Sequence, residues 1–267
     1  SMSERPRVLL TRLLPPDVEA RAERDYIATL NRDDRLLGKR DLPDAAEGHD
    51  AIICCATEPF TREVIAALPA SIKIIATFSV GYEHIDVAAA AERGITVTNT
   101  PDAVTTATAD ATMLCLLGAA RRGAEADKFL RAGQWGKWSS MLLLGVHVTG
   151  KRLGIYGMGR IGQAVAQRAR GFDMQVHYHN RHRLDPSEEK GAIYHDSAES
   201  LLRVSEFLSI NAPSSPETLK FLNRERIALL PKGAVVVNAA RGNLVDDDAL
   251  VEALQNGHIA AAGLDVY

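Results

Sequence analysis

Short apolar runs alternate with helical stretches along the whole chain. In its first part, this pattern predicts helices at residues 17–24, 61–68 and 85–93, and strands at residues 8–14, 50–56, 72–79 and 95–99. Thr61 has a side chain suited to a helix N-cap, and Gly94 is a residue type that often follows the last turn of a helix. Because strands that alternate with helices build parallel sheets covered by helices on both faces, the pattern predicts an α/β fold.

The alternation resumes after a long helix, which the pattern predicts over residues 102–122 with Gly123 as its end. The next segment, residues 123–150, differs in character and contains both tryptophans. A second series of strands and helices follows it. We therefore expect two domains, residues 1–98 and residues 99–267, each with a parallel sheet, and a ligand cleft between them.

The composition is typical of a globular protein. Hydrophobic residues make up 46% and charged residues 24% of the chain, with a net charge of −3, which argues against disorder and against general nucleic-acid binding. No apolar run reaches the ~18 residues that a membrane helix needs. Cys54, Cys55 and Cys115 lack the spacing of a metal site, and neighbours in a strand face opposite ways, which disfavours a disulfide. We expect a cytoplasmic protein that holds no metal.

A glycine-rich loop of the form G-x-G-x-x-G follows a predicted strand at Gly157, Gly159 and Gly162. A helix is predicted after it over residues 161–170, and another strand over residues 174–178. Gly157 would allow a tight turn, Gly159 a close approach of backbone N–H groups to a pyrophosphate, and Gly162 close packing of helix on strand. In this context the loop predicts a dinucleotide site.

The end of the following strand bears on the choice of dinucleotide. Enzymes that use NAD usually place an acidic residue there to bind the ribose 2′-hydroxyl group. Here Asn180 stands at that position, and Arg181 and Arg183 follow it. A solvated basic loop has the same charges, but an asparagine with two arginines also suits a 2′-phosphate. We predict that NADP(H) is preferred, with NAD(H) as the alternative cofactor.

Three more predicted strands, at residues 207–210, 234–238 and 260–264, end in polar or turn-forming sequences. Because parallel strands end at one edge of their sheet, these residues should lie beside the dinucleotide. The candidate contacts are Asn211, Ala212, Pro213, Ala239, Arg241 and Asp265.

Six segments occur in a fixed order over nearly the whole chain: residues 79–86, 98–102, 106–110, 157–162, 238–242 and 261–266. Together they resemble the D-isomer-specific 2-hydroxyacid dehydrogenase family, above all its glyoxylate/hydroxypyruvate reductase branch. The resemblance implies a flavodoxin-like substrate domain and a Rossmann-type dinucleotide-binding domain.

The resemblance also implies roles for individual residues. Arg241 would bind the carboxylate of a 2-oxo acid and polarise its keto oxygen, and the N–H groups of Val80 and Gly81 would hold the same carboxylate. Asp265 would accept a hydrogen bond from the nicotinamide amide. Further cofactor contacts are implied for Thr106, Arg160 and Ile161.

The implied reaction is hydride transfer between NADPH and a small 2-oxo acid, such as glyoxylate or hydroxypyruvate. The segment 123–150 resembles the dimerisation arm of the family, so a homodimer is expected. In the glyoxylate reductase branch, an aromatic side chain of this arm reaches the substrate pocket of the partner. Trp138 is the candidate for that role, and an ordinary interface or core tryptophan is the alternative.

Two other kinds of function remain open. Another acid of the same family could be the substrate, as in D-3-phosphoglycerate or formate dehydrogenases. A dinucleotide-sensing binding protein, like the corepressors of the family, would use the fold for partner assembly instead of catalysis.

The sequence departs from the family in its acid–base pair, a Glu soon after the Asp-Val turn and a His in a later Pro-His segment. The chain stops at Tyr267, before either of them. We expect it to be the larger part of a longer enzyme and not a true truncation. We also expect these 267 residues alone to bind NADPH but to reduce hydroxypyruvate poorly or not at all.

Overall fold

The computed structural model describes residues 5–267, which form two compact units. One unit ends at Val104 and the other begins at Thr105. Each has its own sheet and two clusters of buried apolar side chains. Within the described residues, no helix is both long enough and apolar enough to cross a membrane.

The first unit is a parallel sheet with helices between its strands. Its strands are β1 (Arg7–Leu10), β2 (Ile27–Thr29), β3 (Ala51–Cys54), β4 (Ile74–Thr77) and β5 (Thr96–Thr98), and its helices are α1 (Pro16–Asp25), α2 (Asp41–Ala45), α3 (Arg62–Ala67) and α4 (Val87–Glu92). The strand order is β2-β1-β3-β4-β5, with parallel pairing throughout the described strands. This is the order of flavodoxin-like folds, as the resemblance implied.

Local chemistry explains where the helices of this unit begin and end. The Thr61 side chain accepts a hydrogen bond from the N–H group of Val64, which confirms Thr61 as the N-cap of α3. Asp86 caps α4 in the same way through the N–H group of Ala89. Gly94 follows α4 in the left-handed region, with φ at +66°.

The first strand is shorter than the pattern predicts. It was expected to continue to residue 14 but ends at Leu10, and after two intervening residues carboxylates bind backbone N–H groups that a longer strand would use for pairing. The N–H group of Leu13 donates to Asp34 at 3.0 Å, and that of Leu14 donates to Glu19 at 3.2 Å. Strand β2 and helix α2 were not predicted, because they are too short to show a clear period.

The second unit is also a parallel sheet covered by helices. Its strands are β6 (Arg152–Tyr156), β7 (Gln175–His179), β8 (Ile193–Tyr194), β9 (Phe207–Ile210), β10 (Ala234–Asn238) and β11 (Ile259–Leu264). Its helices are α5 (Thr105–Ala120), α6 (Gly123–Arg131), α7 (Arg160–Arg170), α8 (Pro186–Glu189), α9 (Ala198–Val204), α10 (Arg224–Leu229) and α11 (Asp247–Gln255), with a 3₁₀ turn at Gly242–Leu244. The order of the described strands, β11-β10-β9-β6-β7-β8, is that of Rossmann folds and confirms the predicted α/β class.

The prediction for the long helix was wrong at its C-terminal end. Helix α5 ends at Ala120, and Gly123 begins α6 instead of closing α5. The break lies at Arg122, whose φ of +57° is incompatible with a continuous helix. The Arg122 guanidinium group stabilises this turn, because it donates to both carboxylate oxygens of Glu125 and to the carbonyl oxygen of Leu144.

Candidate functional site

The glycine loop lies where the strand order of the second sheet reverses. Strand β6 leads into the loop and pairs with β7 on one side and β9 on the other. The N–H group of Gly157 donates to the carbonyl oxygen of His179, and that of Asn211 donates to Tyr156. In sheets of this kind, ligands bind at the carboxyl ends of the strands at this reversal point.

The three glycines of the loop differ in what they make possible. Gly157 has a φ of +93°, and a Cβ atom there would lie 2.6 Å from the backbone nitrogen of Ala212. A Cβ atom at Gly162 would overlap the carbonyl oxygen of Gly157. At Gly159, by contrast, no described atom lies within 4 Å of the Cβ position. The packing of the protein requires Gly157 and Gly162, whereas Gly159 borders open space that a ligand can occupy.

Helix α7 begins directly after this open space. Its N-cap is Gly159, which has no side chain to bond the N–H groups of the first turn, and that turn contains no acidic residue. These N–H groups and the positive end of the helix dipole suit a pyrophosphate. Arg160 begins the helix, and Ile161 follows half-buried.

Asn180, the first residue after β7, supports the glycine loop directly. The side-chain oxygen of Asn180 accepts a hydrogen bond from the N–H group of Met158 at 3.2 Å. An asparagine does this without negative charge, so it does not repel a phosphate group nearby. Arg181, the next residue, is exposed.

The other arginine of this segment is held by a buried carboxylate. Arg183 donates to the two oxygens of Glu189 at 3.1 and 3.0 Å, and Tyr178 donates to the same carboxylate at 2.5 Å. The Arg183 bonds, followed by that of Tyr178, hold the pKa of Glu189 below its usual range. Burial raises the pKa of Tyr178 to about 12. The charge of Arg183 is therefore balanced by Glu189, a partner that the sequence pattern did not reveal.

Asparagine side chains lie at the ends of two neighbouring strands, Asn211 half-buried after β9 and Asn238 buried in β10. The Asn211 side-chain oxygen accepts a hydrogen bond from Ser209, but the buried Asn211 side-chain nitrogen has no acceptor among residues 5–267. An unpaired buried donor costs roughly 1–3 kcal/mol, which a bound ligand with an acceptor can recover. Together with the open space at Gly159, this donor fits a dinucleotide at the sheet edge.

Asn238 at the end of β10 organises the turn that follows. Its side chain donates to the carbonyl oxygen of Arg241 at 2.9 Å and accepts from the N–H group of Ala240 at 3.0 Å. Its backbone oxygen accepts from the N–H group of Asp265 at 3.0 Å. Asn238, which is 1% exposed, thus helps to fix the backbone positions of Arg241 and Asp265. No role was predicted for its side chain.

The remaining candidates of the second unit occupy varied surroundings. Ala212 and Ala239 are buried, whereas Pro213, Thr106 and the Arg241 side chain are exposed. The carboxyl edge of the sheet thus brings together half of the predicted cofactor contacts: Gly157, Gly159, Asn180, Asn211, Ala212, Ala239 and Asp265. Trp138 lies between α6 and β6 and is 75% exposed.

In the first unit, the loop after β4 has three consecutive carbonyl oxygens that accept hydrogen bonds from the same unit. The carbonyl oxygen of Ser79 accepts from the N–H group of Thr100, that of Val80 from the Asn99 side chain, and that of Gly81 from the Ser79 hydroxyl. Within residues 5–267, the N–H groups of Val80 and Gly81 have no acceptor. Consecutive N–H groups without acceptors can bind an anion.

Metal and thiol chemistry has little support in the described part of the chain. No group of three or more His, Cys, Asp or Glu side chains there is arranged to hold a metal ion. Cys54, Cys55 and Cys115 are free thiols, and burial raises the pKa of Cys54 to about 12. A thiol with so high a pKa is a poor nucleophile at neutral pH.

Comparisons with known proteins agree with this site. Residues 113–267 match the family model described as "D-isomer specific 2-hydroxyacid dehydrogenase, NAD binding domain". The chain is 46% identical to a glycerate dehydrogenase of Hyphomicrobium methylovorum, over 98% of this chain and 82% of that protein. It is 42% identical to a glyoxylate reductase of Thermococcus kodakarensis, over 98% of this chain and 80% of that protein.

A solved structure extends the likeness to the fold. It is a putative D-isomer specific 2-hydroxyacid dehydrogenase from Polaromonas sp. JS6 66, with 48% identity and a TM-score of 0.95 over 98% of this chain and 82% of the other. The resemblance stated from the six sequence segments is confirmed. The chain therefore belongs to the D-isomer specific 2-hydroxyacid dehydrogenase family, and it is an oxidoreductase that uses a nicotinamide dinucleotide.

Proposed function

We propose that this enzyme reduces glyoxylate to glycolate or hydroxypyruvate to D-glycerate. The names of the relatives, glyoxylate reductase and glycerate dehydrogenase, support this substrate class. The observation that carries the proposal is the double role of Asn238, which links Arg241 and Asp265 through its side chain and its backbone. Hydride transfer requires that the guanidinium group that binds the substrate, Arg241, and the carboxylate that binds the cofactor, Asp265, are held in a fixed relative position.

Each candidate residue then has a role that suits its chemistry. Arg241 binds the substrate carboxylate and polarises the keto oxygen, since a guanidinium group is a planar donor that stays charged. The N–H groups of Val80 and Gly81 bind the carboxylate as well. Asp265 accepts a hydrogen bond from the nicotinamide amide, and the dinucleotide supplies the hydride when bound.

Backbone and side-chain groups at the sheet edge hold the rest of the cofactor. Arg160 and Ile161 offer N–H groups at the start of α7, where they suit the pyrophosphate. The proposed contacts are completed by Thr106, Gly157, Gly159, Gly162, Asn211, Ala212, Pro213 and Ala239.

The proposal is tested by an activity panel on the full-length protein that contains this chain. Glyoxylate, hydroxypyruvate, pyruvate and 3-phosphohydroxypyruvate are each reduced with NADPH or NADH, and kcat/KM is measured from absorbance at 340 nm. We expect the two small acids with NADPH to give the highest values. A maximum with phosphohydroxypyruvate, or no reduction of any acid, contradicts the proposal.

We further propose that NADP(H) is preferred over NAD(H), and that Arg181 is the residue that matters most. Asn180 keeps negative charge away from the 2′-position, and Arg181 is an exposed cation directly after it. Arg183 already forms a two-bond ion pair with Glu189, so its contribution should be smaller.

Replacing Arg181 by alanine should lower the ratio of kcat/KM for NADPH to that for NADH by about tenfold or more. One hydrogen bond to a charged group is worth roughly 1.5–3 kcal/mol, and 1.4 kcal/mol is a factor of ten. Arg183→Ala is the matched comparison and should change the ratio less. An unchanged ratio in Arg181→Ala would show that the assignment is wrong.

We also propose that residues 1–98 bind substrate, that residues 99–267 bind the dinucleotide, and that residues 123–150 form the arm of a homodimer. Large apolar side chains that are exposed on this arm support the last point: Leu130, Trp135, Trp138, Met141 and Leu144. In such a dimer Trp138 reaches the substrate pocket of the partner. The three free thiols suit a reducing cytoplasm.

A further inference from the structure

A chain of hydrogen bonds lies behind the loop after β4. The His84 ring nitrogen Nε2 is 3.0 Å from the Thr77 hydroxyl, which is 2.6 Å from the Ser79 hydroxyl, and Ser79 donates to the carbonyl oxygen of Gly81 at 2.7 Å. We propose that His84 is a positioning residue that acts through Thr77 and Ser79 to hold the loop of Val80 and Gly81 in its substrate-binding conformation. This inference rests on the proposed role of that loop.

The direction of the chain follows from the number of protons in it. Each hydroxyl group has one proton, and that of Ser79 goes to the carbonyl oxygen of Gly81. Ser79 must then accept a hydrogen bond from Thr77, and Thr77 must accept one from Nε2 of His84. The proton of the neutral imidazole is therefore on Nε2.

The surroundings of His84 keep it neutral and in place. Burial lowers the pKa of His84, and the carboxylates of Glu58 and Glu83 oppose this shift only in part. The Sγ atom of Cys54 lies 4.0 Å from Nε2 on the inner side. Thr77 is 3% exposed, so its hydroxyl has little access to water as a substitute partner.

The loop has three consecutive peptide planes, of which the first two carry the N–H groups of Val80 and Gly81 and the third adjoins them. Thr100 holds the first plane through the carbonyl oxygen of Ser79, and Asn99 holds the second through that of Val80. The third plane begins at Gly81, which has no Cβ atom to restrict its ψ angle. The bond from Ser79 restricts this plane, so the His84 chain supplies the third of three anchors.

Introduced into the full-length protein, the variants His84→Leu and Ser79→Ala test the inference by removing the donor at the start of the chain of hydrogen bonds and the hydroxyl at its end. Each should raise KM for the 2-oxo acid about tenfold, change kcat less than threefold and leave the Kd for NADPH unchanged. His84→Gln should restore most of the loss, because its side-chain nitrogen can donate to Thr77. The double variant should have a KM no higher than that of either single variant, because both substitutions interrupt the same chain of hydrogen bonds.

Ser71→Ala is the matched control, since the Ser71 hydroxyl also donates to a backbone carbonyl oxygen, that of His49, at 2.6 Å. It should leave KM unchanged. If His84→Leu lowers Tm but not the affinity for the 2-oxo acid, or if His84→Gln restores nothing, the inference is overturned while the proposed function stands. If the unchanged protein reduces no 2-oxo acid, the proposed function is overturned and the inference with it.

Discussion

Replacing Arg241 by glutamine is expected to lower kcat/KM for the 2-oxo acid by about 10³-fold. A preorganised donor aimed at developing negative charge contributes 10²–10³ in rate by itself, and Arg241 is also the proposed carboxylate ligand. Most of the loss should appear in kcat, because the keto oxygen gains charge only as hydride arrives. The measurement is steady-state reduction of glyoxylate by the full-length protein with saturating NADPH.

This variant should fold normally. The hydrogen bond from the Asn238 side chain to the carbonyl oxygen of residue 241 goes to the backbone and remains in this variant. Tm and the Kd for NADPH should therefore be unchanged. Arg241→Lys should recover only part of the activity, because an ammonium group keeps the charge but lacks the two-pronged donor.

A surface arginine of the same unit serves as the control. Arg224 forms an ion pair with Glu252 on exposed helices, so Arg224→Gln should leave kcat/KM as it is. If Arg241→Gln keeps kcat/KM within tenfold of the unchanged enzyme, Arg241 does not polarise the substrate.

Much of the second sheet could be predicted because its central strands are continuous apolar runs. Strands β9 and β10 coincide with the predicted residues 207–210 and 234–238, and every residue in them is buried. A strand buried on both faces has a continuous apolar sequence, so it can be predicted from its own residues alone. The glycine loop was recognisable for a similar reason, since its conformation and its packing depend on residues that are close in sequence.

The supporting side chains could not be predicted, because their roles depend on contacts between distant parts of the chain. Asn238 ends the predicted strand at residues 234–238, and no role was predicted for Glu189, which stands among other charged residues. His84 belonged to a recognised segment but had no assigned role until Thr77 and Ser79 were found beside it. Sequence patterns indicate where a site lies, whereas the groups that orient it come from tertiary packing.

The second large effect concerns Gly159. Replacing it by alanine is expected to raise the Kd for NADPH about 10²-fold while leaving the Tm of the cofactor-free protein unchanged. The new methyl group meets no described protein atom within 4 Å, and the φ of −78° and ψ of −160° are accessible to alanine. It would, however, occupy the space proposed for the pyrophosphate and weaken its hydrogen bonds to the N–H groups, each worth roughly 1.5–3 kcal/mol.

Gly162→Ala provides the contrast that makes the Gly159 result decisive. Its methyl group would overlap the carbonyl oxygen of Gly157, so this variant should lower Tm even without cofactor, at a cost of about 1–3 kcal/mol. Fluorescence titration with NADPH and thermal unfolding without it separate the two effects. If Gly159→Ala binds NADPH as tightly as the unchanged protein, the pyrophosphate does not lie above Gly159. If it unfolds like Gly162→Ala, the space there belongs to the packing of the protein and not to a ligand.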